Sequence, residues 1–135
     1  MAAEGVITLL SAYGPDETIA RLEQDIKTRG LTLFAKIDHA AGAREVGLTL
    51  RPTLLLIFGN ARGGTPLMQA TQTLGIDLPL KALVWQDASN ATWLSYNDPE
   101  WLAVRHGLAG AVEAPVAALR GVLRALAQQA TGARV

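Results

Sequence analysis

RPTLLLIFGNARGGTPL, residues Arg51 to Leu67, joins the most deeply apolar run of the chain to its most glycine-rich turn. Thr53 to Phe58 carries no charge, and a strand of that composition is too apolar to lie half in water. It predicts an interior strand with a cover on each face. Gly59 to Gly64 then breaks the pattern. Thr65 is a good helix N-cap and Pro66 suits a first helical turn, so the stretch reads as strand, turn, helix. Backbone N–H groups at such a helix start, beside Asn60 and Arg62, define a candidate anion site at Gly63, Gly64 and Thr65. The simpler reading is a tight connection that needs glycine for its backbone angles.

Outward from this stretch, Val6 to Ala12 predicts a first strand and Pro15 to Arg29 a helix. Asp16 and Glu17 lie in the helix's first turn, Lys27 in its last, and Gly30 at its stop, all in keeping with the macrodipole and the glycine C-cap. Leu31 to Asp38 is a second strand, and Ala40 to Leu50 a short helix or an ordered loop. Past the glycine turn, a helix from Pro66 through Leu67, Ala70 and Leu74 is expected to stop at Gly75. Leu80 to Asp87 and Thr92 to Asn97 form a hairpin around Ala88-Ser89-Asn90, with Asn90 left-handed. That register sets Trp85 opposite Trp93 and Val84 opposite Leu94, so one face carries Ala82, Val84, Leu94 and Tyr96 and the other Leu83, Trp85 and Trp93. A tryptophan pair in open water is unusual for a monomer, which predicts that it lies at a homodimer contact or under the final helix. Asp98-Pro99 starts a short helix ending at Gly107, and the stripe Val112, Val116, Leu119, Leu123, Leu126, Ala130 predicts a C-terminal helix over residues 111–130.

The 135 residues suit one domain, which would bury roughly two-thirds of its unfolded surface. Half are apolar and 18% charged, which excludes disorder. Twelve basic and twelve acidic residues cancel, giving no field for a nucleic acid or an anionic membrane. Without cysteine there is no disulfide, thiolate metal site or thiol catalysis. No signal peptide or apolar span long enough for a membrane is evident, so a soluble cytoplasmic protein is expected and the sequon at Asn90-Ala91-Thr92 reads as chance.

Gly59 and Gly64 have the spacing of a Walker A loop, but Thr65 stands where the lysine belongs, which excludes a nucleotide hydrolase. Asp38-His39 is the sole Asp-His pair. Neighbours on a strand point to opposite faces, so they form no dyad, although His39 at a strand end remains a ligand-binding candidate. His106 reads as a residue capping a helix end. Two histidines make no zinc site, and no metal or cofactor is expected. Trp85, Trp93 and Trp101 fall close together, as a packing cluster or a stacking surface.

The blocks LTLFAKIDHAAGAREVG (Leu31 to Gly47), RPTLLLIFGNARGGTPLMQA (Arg51 to Ala70), DLPLKALVWQDA (Asp77 to Ala88) and TWLSYNDPEWLAVRHGL (Thr92 to Leu108) together resemble the DUF302 family over Val6 to Leu108. The resemblance implies an α+β domain with a mixed sheet covered by helices, often a homodimer, and no catalytic residues to carry over. The elements read from the residues alone run β-α-β-(α)-β-α-β-β-α-α. Function is then expected to be that of a non-enzymatic homodimeric binding or interaction module for a small anionic or flat ligand. The alternative is an enzyme acting on a small molecule, with His39 as general base or ligand contact and the Gly63 to Thr65 amides as its anion site.

Overall fold

The computed structural model describes residues 3–133. Its elements are β1 (Val6–Leu10), α1 (Pro15–Thr28), β2 (Thr32–Asp38), α2 (His39–Glu45), β3 (Thr53–Gly59), α3 (Ala61–Ala70), a 3-10 turn (Gln72–Ile76), β4 (Leu80–Gln86), β5 (Thr92–Asn97), α4 (Pro99–Arg105) and α5 (Glu113–Thr131). The strands form a single sheet in the order β1-β5-β4-β3-β2. Each neighbouring pair is antiparallel, so the sheet is not mixed as expected. The β1–β5 pairing decides this: β1 lies beside the last strand rather than beside β2, which sequence spacing does not encode.

β3 is interior, paired to β2 on one side and β4 on the other. Its two faces differ. Leu56 and Phe58 are fully buried in the core with Ala82, Val84, Leu94 and Tyr96. On that side they meet Leu22 and Ile26 of α1, Leu67 of α3, Leu102 of α4 and the apolar stripe of α5. Leu55 and Ile57, on the other side, are only partly buried, so the cover expected on both faces exists on one.

The β4–β5 hairpin has the predicted register, with Trp85 opposite Trp93, Val84 opposite Leu94 and Leu83 opposite Ser95. Asn90 takes φ 64° in the loop. The segment after β2 is a helix. Asp38 caps it by accepting from the Ala41 amide at 2.9 Å. The C-terminal helix lies where the apolar stripe puts it and ends on left-handed Gly132.

The segment after β3 departs most from expectation. The helix starts at Ala61, five residues before Pro66, and the cap is Asn60, whose side chain accepts from the Gly63 amide at 2.8 Å. Asn60 is extended there and reaches the third helical residue, the usual capping geometry. Pro66 therefore lies inside the helix, where it forgoes one backbone bond near the first turn. Extended Thr71 then ends α3, and Leu74 is buried from the separate 3-10 turn.

Candidate functional site

Where β3 delivers the chain to α3, the glycines leave a cleft of about 410 Å³. Gly59, Asn60, Gly63 and Gly64 form one wall, and Leu119 and Val122 of α5 stand across it. Leu31, Phe34, Ala61, Met68, Leu78 to Leu80 and Ala118 complete the lining, so no ionisable side chain faces the space. The glycines keep it open. A Cβ on Gly63 would meet Leu119 Cδ2 at 3.2 Å, and one on Gly64 would meet Leu78 Cδ1 at 3.5 Å. The volume lies in the range of small-molecule pockets, as does the apolar lining with a single polar amide, Asn60, at its edge.

The other residues singled out in the sequence distribute unevenly around this cleft. The amides expected to be open to an anion have partners: Gly63 N–H donates to the Asn60 side chain and Gly64 N–H to the Asn60 carbonyl at 3.3 Å. Thr65 is exposed within α3, and Arg62 is exposed and absent from the cleft lining. His39 is exposed at the opposite end of the β2–β3 pair. Asp38 faces Leu54 and Thr32 faces Gly59, so roughly 17 Å of strand separates His39 from the glycine turn. His39 and the glycine-turn amides share no site.

His106 has more partners than a capping residue needs. Its Nε2 lies 2.6 Å from Asp77 Oδ2 and its Nδ1 2.8 Å from Thr73 Oγ1. Arg105 Nη1 donates to both oxygens of the same carboxylate, at 2.8 and 2.9 Å. The Asp77 carbonyl accepts from Lys81 Nζ at 3.1 Å. Burial lowers the Lys81 ammonium below its ordinary value, and Asp77 partly offsets this. The cluster ties the end of α4 to the connector whose next residues, Leu78 to Leu80, wall the cleft. None of Thr73, Asp77 and His106 lines that cleft, so the arrangement reads as a latch. No sequence signal links residues 29 apart in this way.

The tryptophans divide. Trp85 and Trp93 stack at 6.0 Å between ring centroids. Their indoles donate to Ser95 Oγ at 2.9 Å and Asp87 Oδ2 at 2.8 Å. They lie on the sheet face away from α5, which corrects the alternative that put them beneath that helix. Trp101 is separate and packs on Gly5, where a Cβ would come within 2.3 Å of the ring.

This is an antiparallel α+β domain with one helix-covered sheet face, one open face, and an apolar cleft where β3 meets α3. The domain of unknown function DUF302 matches residues 7–126, and the chain belongs to that family. The match takes in most of α5, beyond the Leu108 limit of the motif blocks. A crystal structure of an uncharacterized conserved DUF302 protein from Bacillus stearothermophilus has the same fold. It has a TM-score of 0.84 at 23% identity, over 95% of this chain and 99% of that one. The chain is also 50% identical over 104 residues to a fluoride-specific ion channel FluC 1 of Brucella suis, covering 77% of this chain and 41% of the relative. The same identity and length hold for FluC 2 of Brucella melitensis, of which 38% is covered. The chain thus spans about two-fifths of the length of these relatives. Among the described residues, no helix is long and apolar enough to cross a membrane.

Proposed function

We propose that the protein is a cytoplasmic, non-enzymatic, homodimeric module that binds a flat small ligand in the cleft beneath the glycine turn. One observation carries this reading: the cleft has the size of a ligand pocket, yet no acid, base or nucleophile lines it. The engaged Gly63 and Gly64 amides favour a flat ligand there over an anionic one. The enzyme alternative needs His39 beside the glycine turn, and the geometry gives it no support. Dimerisation is supported by the open sheet face. There Leu10, Leu55, Ile57, Leu83, Trp85 and Trp93 stand outside the helix-covered core, and Lys81 is the only charged side chain at the strand positions. A two-fold contact sets such a face against itself with like-charge repulsion from that lysine and, at the hairpin end, from Asp87, whose carboxylate accepts from the Trp93 indole.

Titration of the isotope-labelled protein with 2-naphthol tests the cleft. The largest amide shifts are expected at Gly63, Gly64 and Leu119, and Ala118→Trp, which fills the cleft from the exposed side of α5, is expected to suppress them. Shifts confined to the open sheet face would refute the site.

The Brucella relatives support a second reading, in which the chain is an accessory domain to a membrane fluoride channel. The chain covers 41% of the Brucella suis relative, and among the described residues no helix is long and apolar enough to cross a membrane, which supports a role beside the channel rather than as its membrane-spanning part. Fluoride efflux from vesicles carrying such a channel, measured with and without this protein, tests it. Equal efflux would rule the reading out.

A further inference from the structure

β2 is an edge strand of the sheet, and its pairing with β3 slips by one residue beside the glycine-turn cleft. Leu33 faces Phe58 and Ala35 faces Ile57, so Phe34 is one residue more than β3 can match. The slip is a β-bulge, which bends a strand and re-aims a side chain. Phe58 lies in the core and Ile57 on the open face, so Phe34 falls outside the alternation of both. It stands instead in the lining of the cleft, as the only aromatic side chain there. The ring is 55% exposed, so the fold itself buries little of it. A bulge also discourages pairing at a sheet edge, but that purpose needs no aromatic ring at the extra position.

Asn60 lies at the same end of the cleft, because Thr32 and Gly59 face each other across the two strands. Its side chain has an acceptor end and a donor end. Oδ1 accepts from the Gly63 amide at 2.8 Å, and only the oxygen can take that place against an N–H. The Nδ2 amino group is therefore the end left to a ligand, and it makes no other hydrogen bond among the described residues. The Gly63 and Gly64 amides are already engaged. With no ionisable side chain in the lining, a charged ligand would give up its hydration without gaining a partner.

Resting on the reading of this cleft as a ligand site, we propose that its ligand is an uncharged aromatic carbonyl compound, whose ring stacks on Phe34 and whose carbonyl oxygen accepts from Asn60 Nδ2. Phe34 and Asn60 then set the specificity: the ring selects a flat body, and the amino group selects an acceptor.

The test is an NMR titration of the whole chain with three probes: 2-acetylnaphthalene, 2-isopropylnaphthalene of similar size but without the oxygen, and 2-naphthoate, which is ionised at neutral pH. Both neutral probes are expected to shift Gly63, Gly64 and Leu119 and the Phe34 ring, and the ketone alone to shift the Asn60 side-chain amide. The ionised probe should bind about tenfold more weakly than the ketone. Asn60→Asp keeps an oxygen for the Gly63 amide but has no amino group, so it should lower the ketone-to-hydrocarbon affinity ratio about tenfold. Phe34→Leu keeps an apolar side chain at a half-exposed position, so it should fold and weaken both neutral probes about fivefold. No shift at the cleft with either neutral probe would overturn the cleft reading and this inference with it. Binding at the cleft with a ratio unchanged in Asn60→Asp, undiminished in Phe34→Leu, or as tight for 2-naphthoate as for the ketone would overturn this inference and leave the cleft standing.

Discussion

Asp87 shows how one side chain can hold a turn together. Its Oδ1 accepts from the amides of Ser89 at 2.8 Å and Ala91 at 3.0 Å, and its Oδ2 from the Trp93 indole. The indole bond first, and then the Ala91 amide, hold the carboxyl below its ordinary value of 3.8. A carboxyl whose folded value is depressed contributes its stability in full above the unfolded value and loses it as pH falls through the folded one. The melting-temperature gap between wild type and Asp87→Asn is therefore expected to be open at neutral pH and to close below about pH 4. A gap of the same size at both ends of that range would mean that the charge plays no part.

At the scale of the element, α3 shows how a cap competes with a motif. Thr65-Pro66 has the chemistry of a helix start, and so does Asn60 one turn and a half earlier. The earlier cap prevails because the fold satisfies it at the end of β3, where the chain leaves the sheet in extended conformation. Asn60→Ala is accordingly expected to destabilise the protein by about 1 kcal/mol in denaturant unfolding, with Asn60→Asp close to wild type. Thr65→Ala should change stability little, since Thr65 is exposed and caps nothing. A larger loss at Thr65 than at Asn60 would contradict the observed helix boundary. Elements with agreeing signals at both ends were legible throughout: α1 between Pro15 and Gly30, α4 after Asp98-Pro99, and the hairpin around Asn90. α3 was misread because two local signals of similar strength competed, and burial of Leu67 and Leu74 from two separate turns settled the outcome.

For the whole molecule, the open sheet face is the feature with the largest consequence. Leu10 and Ile37 are 53% and 40% exposed, and by register they share the face of Trp93 and Leu55. An apolar surface extending across the sheet is expected to be covered in solution. Light scattering should therefore find a dimer, and Trp85→Ser with Trp93→Ser should yield a folded monomer by circular dichroism. A wild-type monomer, or a dimer untouched by the double substitution, would exclude this face as the contact.

The sequence by itself determined the elements other than α3 and the segment after β2, together with the hairpin register and the α+β class, because caps, turn residues and apolar periodicity act between residues a few positions apart. It also located the glycine turn that shapes the cleft. Only the tertiary structure decided the remainder. The pairing of β1 with β5 made the sheet wholly antiparallel. The crossing of α5 over the sheet created the cleft beside the glycine turn. His106 met Asp77, and His39 was carried to the far end of the sheet from Arg62. Each of these depends on contacts between residues far apart in the chain, which are set by how the helices share a single apolar face and leave no trace in local spacing.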